Sequence, residues 1–396
     1  MNQSPQAAPL PTVAAQALAV LMDLGTATRR QIVERSGMSF PTATLALQEL
    51  IDRDLVTQSG KLQGPRGRAT LAYRLAGRAG WVLGLGVDAT DVRARAVALD
   101  GTELSTAEIA FERDTPPAQT ARFAADLASR LRSDLRSRGE VRAVALAVNT
   151  YVPRSFDTPG VNAPNALALC SGFAQHAGLP PSTSLLIEND VNAAAMAEHA
   201  NGQMVGHNYA VYLQFGLGVG AGLFVEGQLV RGAFGTAGEI GSFPDHWIGP
   251  GGAVPTPGEL ERAVGSRGLL ERARPAWTHG EEELCVANVM ARAEEPALAE
   301  VLAVQAQGVS RVIHAVMCLL DPSVVVLGGE LAQFAAFTRP VLGNFRALSS
   351  LARLVVSTKG LIAPAEGAAL VALDHARAQM LGPTHHRTVP DPTTWT

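Results

Sequence analysis

Two similar blocks of strand-forming sequence, about 126 residues apart, constrain the fold of this chain more than any other feature. In the first block, residues 81–87 and 92–99 have the pattern of buried strands, are joined by a short turn and are followed by Asp-Gly. In the second block, residues 209–215 and 219–225 flank a glycine-rich turn and are followed by Glu-Gly. Strand and helix patterns alternate between the blocks. The repeat therefore predicts a duplicated α/β lobe.

The chain is also too long for one domain, because a single hydrophobic core supports roughly 250–300 residues and this chain has 396. Hydrophobic residues make up 47% and charged residues 17%, a globular composition that excludes bulk disorder. Cys170, Cys285 and Cys318 form no CxxC spacing, so we expect neither disulfides nor a thiolate metal site. Because no signal-peptide pattern and no run of about 18 uncharged apolar residues occurs, we expect a cytoplasmic protein with no membrane contact.

Three short helices are predicted near the start of the chain. Apolar residues at helical spacing mark the first helix at 13–24, and a second, at 28–36, ends in a Gly-Met turn. Ser39 is the expected N-cap of the third helix. The side chains expected on the outer face of this third helix are Ser39, Thr42, Thr44 and Gln48.

A basic loop follows between two extended runs, residues 55–57 and 70–74, with Arg66 and Arg68 at its tip. Residues 1–74 hold 8 Lys and Arg against 5 Asp and Glu, whereas the rest of the chain holds 24 against 31. This pattern is typical of a winged helix-turn-helix that binds DNA, with its third helix in the major groove and the loop arginines in the minor groove. The alternative is a small structural bundle whose loop arginines are merely solvated.

Changes of pattern divide the chain into five segments. The predicted segments are a flexible N-terminus (1–11), a winged helix-turn-helix (12–76), a first α/β lobe (80–200), a second α/β lobe (201–383) from which the chain is free to return to the first, and a flexible tail (384–396). The tail is expected to fray because it contains Pro390 and Pro392 and shows no periodicity.

Three motifs in the two-lobed part carry a resemblance to a known family. They are residues 188–198 (ENDVNAAAMAE), residues 232–241 (GAFGTAGEIG) and the segment from Asp321-Pro322 to Gly328-Gly329. They resemble the catalytic segment, the sugar-binding loop and the nucleotide-side turn of the ROK family (repressors, open reading frames, kinases). The whole of about 13–380 resembles the family's transcriptional regulators, which implies a winged helix-turn-helix followed by a two-lobed, actin-like (hexokinase-like) α/β fold.

In the family's kinases, the aspartate that matches Asp190 is the general base that takes the proton of the sugar hydroxyl. The phosphate loops that this chemistry needs are altered in this chain. The first, Asp-x-Gly-Gly-Thr in the kinases, is here residues 88–93 (DATDVR), which contain no glycine and add Asp91. The second keeps its glycines but has Leu217 in place of a phosphate-binding threonine. We therefore expect these glycines to serve tight packing, and expect neither ATP as a cofactor nor kinase activity.

Most family members hold zinc with one histidine and three cysteines, and we expect no such site here. Ser242 stands at the histidine position, and Gly252, Val254 and Glu259 match the cysteine positions. Since a structural zinc ion needs about four N or S ligands, no metal is expected. His246 is expected to be a surface histidine rather than a ligand.

The family's sugar-binding residues are partly retained. By resemblance, the ligand-binding residues are Asn165, Asn189, Asp190, Glu239 and Glu261. Ser242 replaces the histidine that completes this set, so the usual family sugar is expected to bind more weakly unless Ser242 or a water substitutes. The alternative for residues 188–190 is a helix cap with Asp190 as the N-cap.

The resemblance and the altered loops favour a transcriptional regulator, a repressor in carbohydrate metabolism, over an enzyme. The expected partners are a palindromic double-stranded DNA operator, a sugar-type effector bound between the lobes, and further copies of the chain in a homodimer or dimer of dimers. Two alternatives stay open. One is an ATP-dependent sugar kinase with an accessory domain, and the other is a ligand-independent regulator whose lobes serve only as a dimerisation scaffold.

Overall fold

The computed structural model of the chain describes residues 10–63, 69–155, 163–244, 258–346, 352–382 and 393–395. Its internal contacts divide the chain into two compact units. Unit 1 takes its described residues from Met1–Ala147, Leu167–Ile187 and Ala368–Thr396, and unit 2 from Val148–Ala166 and Glu188–Gly367. The division between the units therefore differs from the predicted break after residue 200, since the segment from Glu188 onward belongs to unit 2. The chain returns to unit 1 near its C-terminus.

Unit 1 begins with three helices and a three-stranded antiparallel sheet. The helices are α1 (Thr12–Leu24), α2 (Arg29–Ser36) and α3 (Phe40–Asp52), and the strands are β1 (Thr26–Thr28), β2 (Val56–Gln63) and β3 (Ala69–Leu75), in the order β1-β3-β2. Ser39 caps α3 as predicted, because its Oγ accepts from the N–H of Thr42 at 3.3 Å. Thr28 and Gln31 form a reciprocal capping box at the start of α2.

The rest of unit 1 is built on a six-stranded sheet in the order β14-β8-β7-β4-β5-β6. Its strands are β4 (Trp81–Val87), β5 (Asp91–Ala98), β6 (Glu103–Ala110), β7 (Val141–Val148), β8 (Ser184–Asn189) and β14 (Thr393–Trp395). The helices that belong mainly to this unit are α4 (Pro117–Asp134), α5 (Pro164–His176) and α12 (Ala363–Leu381). Side chains of β4 and β7 are almost all buried, as expected of central strands.

The predicted flexible tail contains a paired strand. Strand β14 runs antiparallel to β8, with Trp395 opposite Leu185. The sequence Thr-Thr-Trp is rich in strand-forming residues, and the edge of β8 offers it backbone hydrogen bonds. The expectation of a tail that is flexible throughout is therefore wrong for residues 393–395.

Unit 2 contains a five-stranded sheet in the order β11-β10-β9-β12-β13. Its strands are β9 (Ala210–Phe215), β10 (Val219–Val225), β11 (Gln228–Leu229), β12 (Val324–Gly328) and β13 (Arg353–Val356). Its helices are α6 (Asp190–Asn201), α7 (Glu259–Val264), α8 (Ser266–Ala273), α9 (Val286–Ala291), α10 (Pro296–Leu320) and α11 (Ala335–Arg346). Strand β12 is parallel to both of its neighbours, whereas β10 is antiparallel to both β9 and β11.

The two predicted repeat blocks form matching hairpins, one in the six-stranded sheet and one in the five-stranded sheet. Strands β4 and β5 pair antiparallel up to Val87 opposite Val92, and β9 and β10 pair up to Phe215 opposite Val219. In each block a glycine with positive φ then makes the turn into the third strand, Gly101 before β6 and Gly227 before β11. The duplication expected from the sequence is thus present in the strand pairing.

Helix α10 is long and apolar enough to cross a membrane by length and composition alone. Nine of its side chains are buried, and Leu302, Val309 and Ile313 lie in the hydrophobic core of unit 2. Its sequence also carries Glu300 and Arg311, both exposed. Packing in the core of unit 2 accounts for the apolar character of this helix.

Helix α6 packs closely against its neighbours in unit 2 because both sides of the contact carry very small residues. A Cβ atom added at Gly220 on β10 would lie 2.8 Å from Cγ2 of Val191. One added at Gly222 would collide with Cβ of Ala195, and one added at Gly367 on α12 would collide with the carbonyl oxygen of Ala193. The alanines and glycines of these segments therefore serve to bring backbones together.

We expect Gly222→Ala to lower the free energy of unfolding by about 1–3 kcal/mol, the usual cost of overpacking a filled core. Gly343→Ala is the matched control, because Gly343 lies in α11 with no atom within 4 Å of an added Cβ. That control should be neutral or more stable by up to about 1 kcal/mol, since alanine is the better helix former. Thermal unfolding followed by circular dichroism measures both. Equal midpoints would contradict the close packing of α6.

Candidate ligand site

Asn189 rather than Asp190 caps helix α6. Its Oδ1 accepts from the N–H groups of Val191 and Asn192, at 3.0 and 3.1 Å, and its Nδ2 donates to the carbonyl oxygen of Thr150 at 3.3 Å. The alternative that Asp190 is the N-cap is therefore wrong, because the last residue of β8 is the one with extended backbone angles at the helix start. The amide of Asn189 is engaged within the protein.

Asp190 is the first residue of α6, and it is buried. Its Oδ2 accepts a hydrogen bond from Nε2 of Gln214, on β9, at 2.8 Å. A carboxylate at this position is also favoured by the partial positive charge of the helix N-terminus. The carboxylate of Asp190 is thus oriented by Gln214 of strand β9, and it does not cap the helix.

A buried ion pair joins the start of α6 to the loop predicted to bind sugar. Arg231, just before that loop, donates from Nε to Oε2 of Glu188 at 2.9 Å and also from Nη2 to the same oxygen. The other carboxylate oxygen accepts from Nδ2 of Asn192 at 3.2 Å and from the N–H of Asn189 at 3.0 Å. Arg231 was not predicted from the sequence. The available signal was Glu188, since a carboxylate at the end of a buried strand requires a cationic partner.

The loop itself lies against β10 and needs glycine there. Gly238 has a φ of 89°, and a Cβ atom added to it would collide with the carbonyl oxygen of Ala221. The carbonyl oxygen of Gly238 accepts from the N–H of Ala221 at 2.8 Å. Only a residue without a side chain fits this position, which fixes the backbone that carries Glu239.

Glu239, Glu261 and Tyr151 are electrostatic neighbours. Glu239 is an exposed residue, but nearby protein atoms desolvate its carboxyl group enough to raise its pKa, and the charge of Glu261 raises that pKa further. Burial and the charge of Glu239 raise the pKa of the Tyr151 hydroxyl, which donates to the carbonyl oxygen of Phe234 at 2.8 Å. Glu261 accepts from the N–H of Val219 at 3.3 Å. Tyr151 was not predicted as part of this cluster.

All five predicted ligand-binding residues belong to unit 2. Asn189 and Asp190 are adjacent at the start of α6, and Glu239 lies beside Glu261. Asn165 is exposed in the first turn of α5. The structure therefore groups these residues as two pairs and one separate amide, and their role in binding stays a prediction.

The turn that matches the first phosphate loop is a tight hairpin turn lined by carboxylates. The N–H of Asp88 donates to the carbonyl oxygen of Asp91 at 2.9 Å, and the N–H of Ala89 donates to Oδ1 of Asp88 at 2.7 Å. Asp91 lies 2.8 Å from Nη1 of Arg93. Burial raises the pKa of Asp91, and Arg93 opposes that shift. These amides are bonded within the turn, so it does not fit an approaching phosphate.

The turn that matches the second phosphate loop, which begins at Gly216, is contacted by Ser266. The N–H of Ser266 donates to the carbonyl oxygen of Gly216 at 2.7 Å, and Oγ of Ser266 donates to Oε2 of Glu330 at 2.6 Å. Gly329 has a φ of 84°, and an added Cβ would lie 2.6 Å from the carbonyl oxygen of Phe215. These glycines allow close backbone approach, and Glu330 adds negative charge. These contacts place a carboxylate rather than a cation beside the loop.

The positions that hold zinc in the family do not fit the metal in this chain. Ser242 ends a short 3-10 helix, and Glu259 is the first residue of α7. Gly252, Val254 and His246 lie outside the described residues. A set of Ser, Gly, Val and Glu supplies none of the N or S ligands of structural zinc. In the described part of the chain, no cluster of three or more His, Cys, Asp or Glu side chains could hold a metal.

The predicted DNA-contacting residues of the third helix lie on or just before α3. Ser39, Thr44 and Gln48 are exposed, and Thr42 is half-buried. Arg66 and Arg68 lie outside the described residues. The DNA contacts of all six stay predictions.

The chain is similar to proteins of one family that contains both regulators and sugar kinases. The ROK family model matches residues 82–374, about three quarters of the chain. Glucokinase from Streptomyces coelicolor is 30% identical over 166 residues, 41% of this chain and 49% of that protein. Xylose repressor from Bacillus subtilis is 22% identical over 249 residues, 62% of this chain and 63% of the repressor. The chain thus spans about half the length of the first curated relatives it matches.

Solved structures of both kinds share the fold. A ROK family transcriptional regulator, a homolog of the E. coli MLC protein, has a TM-score of 0.67 and 21% identity, covering 93% of this chain and 97% of that one. A ROK hexokinase from Thermus thermophilus has a TM-score of 0.58 and 25% identity, covering 74% of this chain and 97% of its own. The similarity to the regulator therefore extends beyond residues 82–374.

We expect Arg231→Met to lower the free energy of unfolding by about 3–5 kcal/mol, because it leaves the Glu188 carboxylate buried without a counter-charge. Arg30→Met is the matched control, since the pair of Arg30 with Glu34 is largely exposed and its loss should leave stability unchanged. Adding Glu188→Gln to Arg231→Met should restore part of the loss. Urea unfolding of the three variants tests this, and equal midpoints for the two arginine variants would refute the role of the buried pair.

Proposed function

We propose that this chain, which belongs to the ROK family, is a DNA-binding transcriptional regulator, a repressor controlled by a sugar-type ligand, and not a kinase. The observation that carries the proposal is the state of the two turns that would hold nucleotide phosphates. Asp91 lies within the first, and Glu330 is hydrogen-bonded to Ser266 beside the second. A kinase must neutralise the charge of the transferred phosphate, and these turns present carboxylates instead.

The N-terminal module supports the regulatory part of the proposal. Three helices and a three-stranded sheet precede the family domain, and α3 is exposed along one side. The similarity to the regulator of known structure covers 93% of this chain, whereas the similarity to the hexokinase covers 74% of it. We therefore assign the module as a winged helix-turn-helix. In this proposal the protein is cytoplasmic and binds a palindromic operator as a homodimer or dimer of dimers.

The retained polar residues support a sugar-type effector. Asp190, Glu239 and Glu261 supply hydrogen-bond acceptors, and Asn165 supplies an amide, a set suited to a polyol. In addition, Nη1 of Arg231 is buried without a hydrogen-bond partner in the described part of the chain. A buried N–H of this kind favours a bound water or ligand oxygen beside it. We place the ligand on unit 2, without zinc and without ATP.

The ion pair of Arg231 with Glu188 offers a mechanism for the response. It connects the backbone at the start of the Gly232–Gly241 loop to the residue before the cap of α6. A ligand that orders this loop therefore also biases α6. The resulting change in operator affinity can be no larger than the difference in ligand affinity between the two states of the protein.

In vitro selection from a random duplex DNA library with the full chain should enrich one sequence. In fluorescence anisotropy, binding to this sequence should weaken steeply with salt, and Arg66→Ala/Arg68→Ala should weaken it by about ten- to hundredfold. The control Arg136→Ala/Arg138→Ala removes the same charge from an exposed stretch after α4 and should leave affinity unchanged. A library that yields no enriched sequence would overturn the proposed DNA-binding role.

The same assay with xylose, glucose and N-acetylmannosamine tests the sugar response. One of these sugars should shift operator affinity by about 5- to 150-fold, and Asp190→Asn should abolish the shift while leaving affinity without sugar unchanged. Glu281→Gln, an exposed acidic residue after α8, is the control and should keep the response. A response that survives Asp190→Asn would refute the role of Asp190 in binding the sugar, and no response to any sugar would favour the ligand-independent scaffold.

We expect no phosphoryl transfer from ATP to any of these sugars in a coupled spectrophotometric assay. ATP should also leave the thermal unfolding midpoint unchanged, because a ligand that does not bind the native state does not stabilise it. A raised midpoint together with sugar-dependent ADP release would instead establish the kinase alternative.

A further inference from the structure

The polar side chains on the exposed side of α3 are engaged within the helix. Oγ of Ser39 accepts from the N–H of Thr42 and lies 2.8 Å from the hydroxyl of that residue. The hydroxyl of Thr44 donates to the carbonyl oxygen of Phe40 at 2.9 Å. Nε2 of Gln48 donates to Oδ1 of Asp52 at 2.8 Å. Much of the hydrogen-bonding capacity that would contact base edges is thus already used.

The side chains that α3 leaves exposed in its first two turns are mainly apolar. Leu45 is 72% exposed and Phe40 is 52% exposed. Pro41, also exposed, lies one turn before Leu45 on the same side of the helix, opposite the buried Ala43 and Leu47. The helix contains no lysine or arginine. It therefore cannot recognise guanine by the cationic contacts that are most common in major-groove recognition.

Among the base edges in the major groove, only thymine presents an apolar group, the C5-methyl. Residues near the N-terminus of a recognition helix are those that contact base edges. On the premise of the proposed DNA-binding function, we propose that Leu45 recognises thymine methyl groups and that Phe40, exposed in the first turn, supplies a second apolar contact. The operator half-site then contains thymine under the first two turns of α3.

DNA is the occupant of this apolar face that the charge distribution favours. Residues 1–74 hold 8 Lys and Arg against 5 Asp and Glu, whereas the rest of the chain is acidic, with 24 against 31. An N-terminal module of opposite sign to the body matches a polyanion. Gln48 keeps its carbonyl oxygen and one N–H beyond its bond to Asp52, which suit N6 and N7 of adenine. Thymine and adenine contacts together specify an A·T-rich half-site.

The test replaces single thymines of the selected DNA sequence by uracil, which removes only the C5-methyl group. For the unmodified chain, at least one replacement should weaken binding by about fourfold, the effect of one buried methyl group. Leu45→Ala should bind the thymine and uracil duplexes equally, because the partner of the methyl group is gone. Phe40→Ala, measured in parallel, shows whether a second thymine depends on the first turn.

Leu319→Ala is the matched control, since Leu319 on α10 is 70% exposed and lies in unit 2. It should keep the full difference between thymine and uracil. Circular dichroism of Leu45→Ala should be unchanged, because Leu45 supports no core packing. If every uracil replacement is silent, or if Leu45→Ala keeps the difference, the apolar face does not contact the bases and this inference fails while the regulator stands. If no sequence is enriched at all, the proposed function fails and this inference with it.

Discussion

The close approach of α6 to β10 is the constraint on which the geometry of the candidate ligand site depends. Gly220 and Gly222 on one side and Gly367 on the other leave no room for side chains. Helix α6 places Val191 against Gly220 and alanines against the other two glycines. A helix held this closely cannot rotate or slide relative to β10 without collisions, so a bias on α6 moves the helix together with that strand. Its first residue, Asp190, is consequently held in one position relative to β9, where Gln214 completes its orientation.

The buried pair of Arg231 with Glu188 positions the Gly232–Gly241 loop relative to the start of α6. Removing two charges from water costs several kcal/mol per ion, and their attraction repays this only when further hydrogen bonds satisfy the carboxylate. Here Asn192 and the N–H of Asn189 supply those bonds. A pair of apolar residues could fill the same space, but it would not fix the angle of the loop. The pair therefore joins the two groups of acceptors, Asp190 and Glu239, through a short rigid connection.

The features that the sequence predicted well are those set by local patterns. The cap at Ser39 and the pairing of β4 with β5 depend on residues that are close together in the chain. Asn and Asp both cap helices, so spacing alone could not decide between Asn189 and Asp190. The pairing of β14 with β8 and the contact of Arg231 with Glu188 join distant segments. Such contacts depend on which edges and charges the fold brings together, and a single sequence does not specify them.

Under the proposed function, the two halves of the family's chemistry are assigned to separate elements of this chain, so the loss of one does not require the loss of the other. The phosphate-side turns lie between β4 and β5 and between β9 and β10, and the sugar-side acceptors lie at the start of α6 and in the loop after Arg231. Carboxylates such as Asp91 and Glu330 repel phosphate but impose no charge penalty on a neutral sugar. A body of this kind can change from a kinase into a sensor without rebuilding its sugar site, because binding energy no longer has to be directed to a transition state.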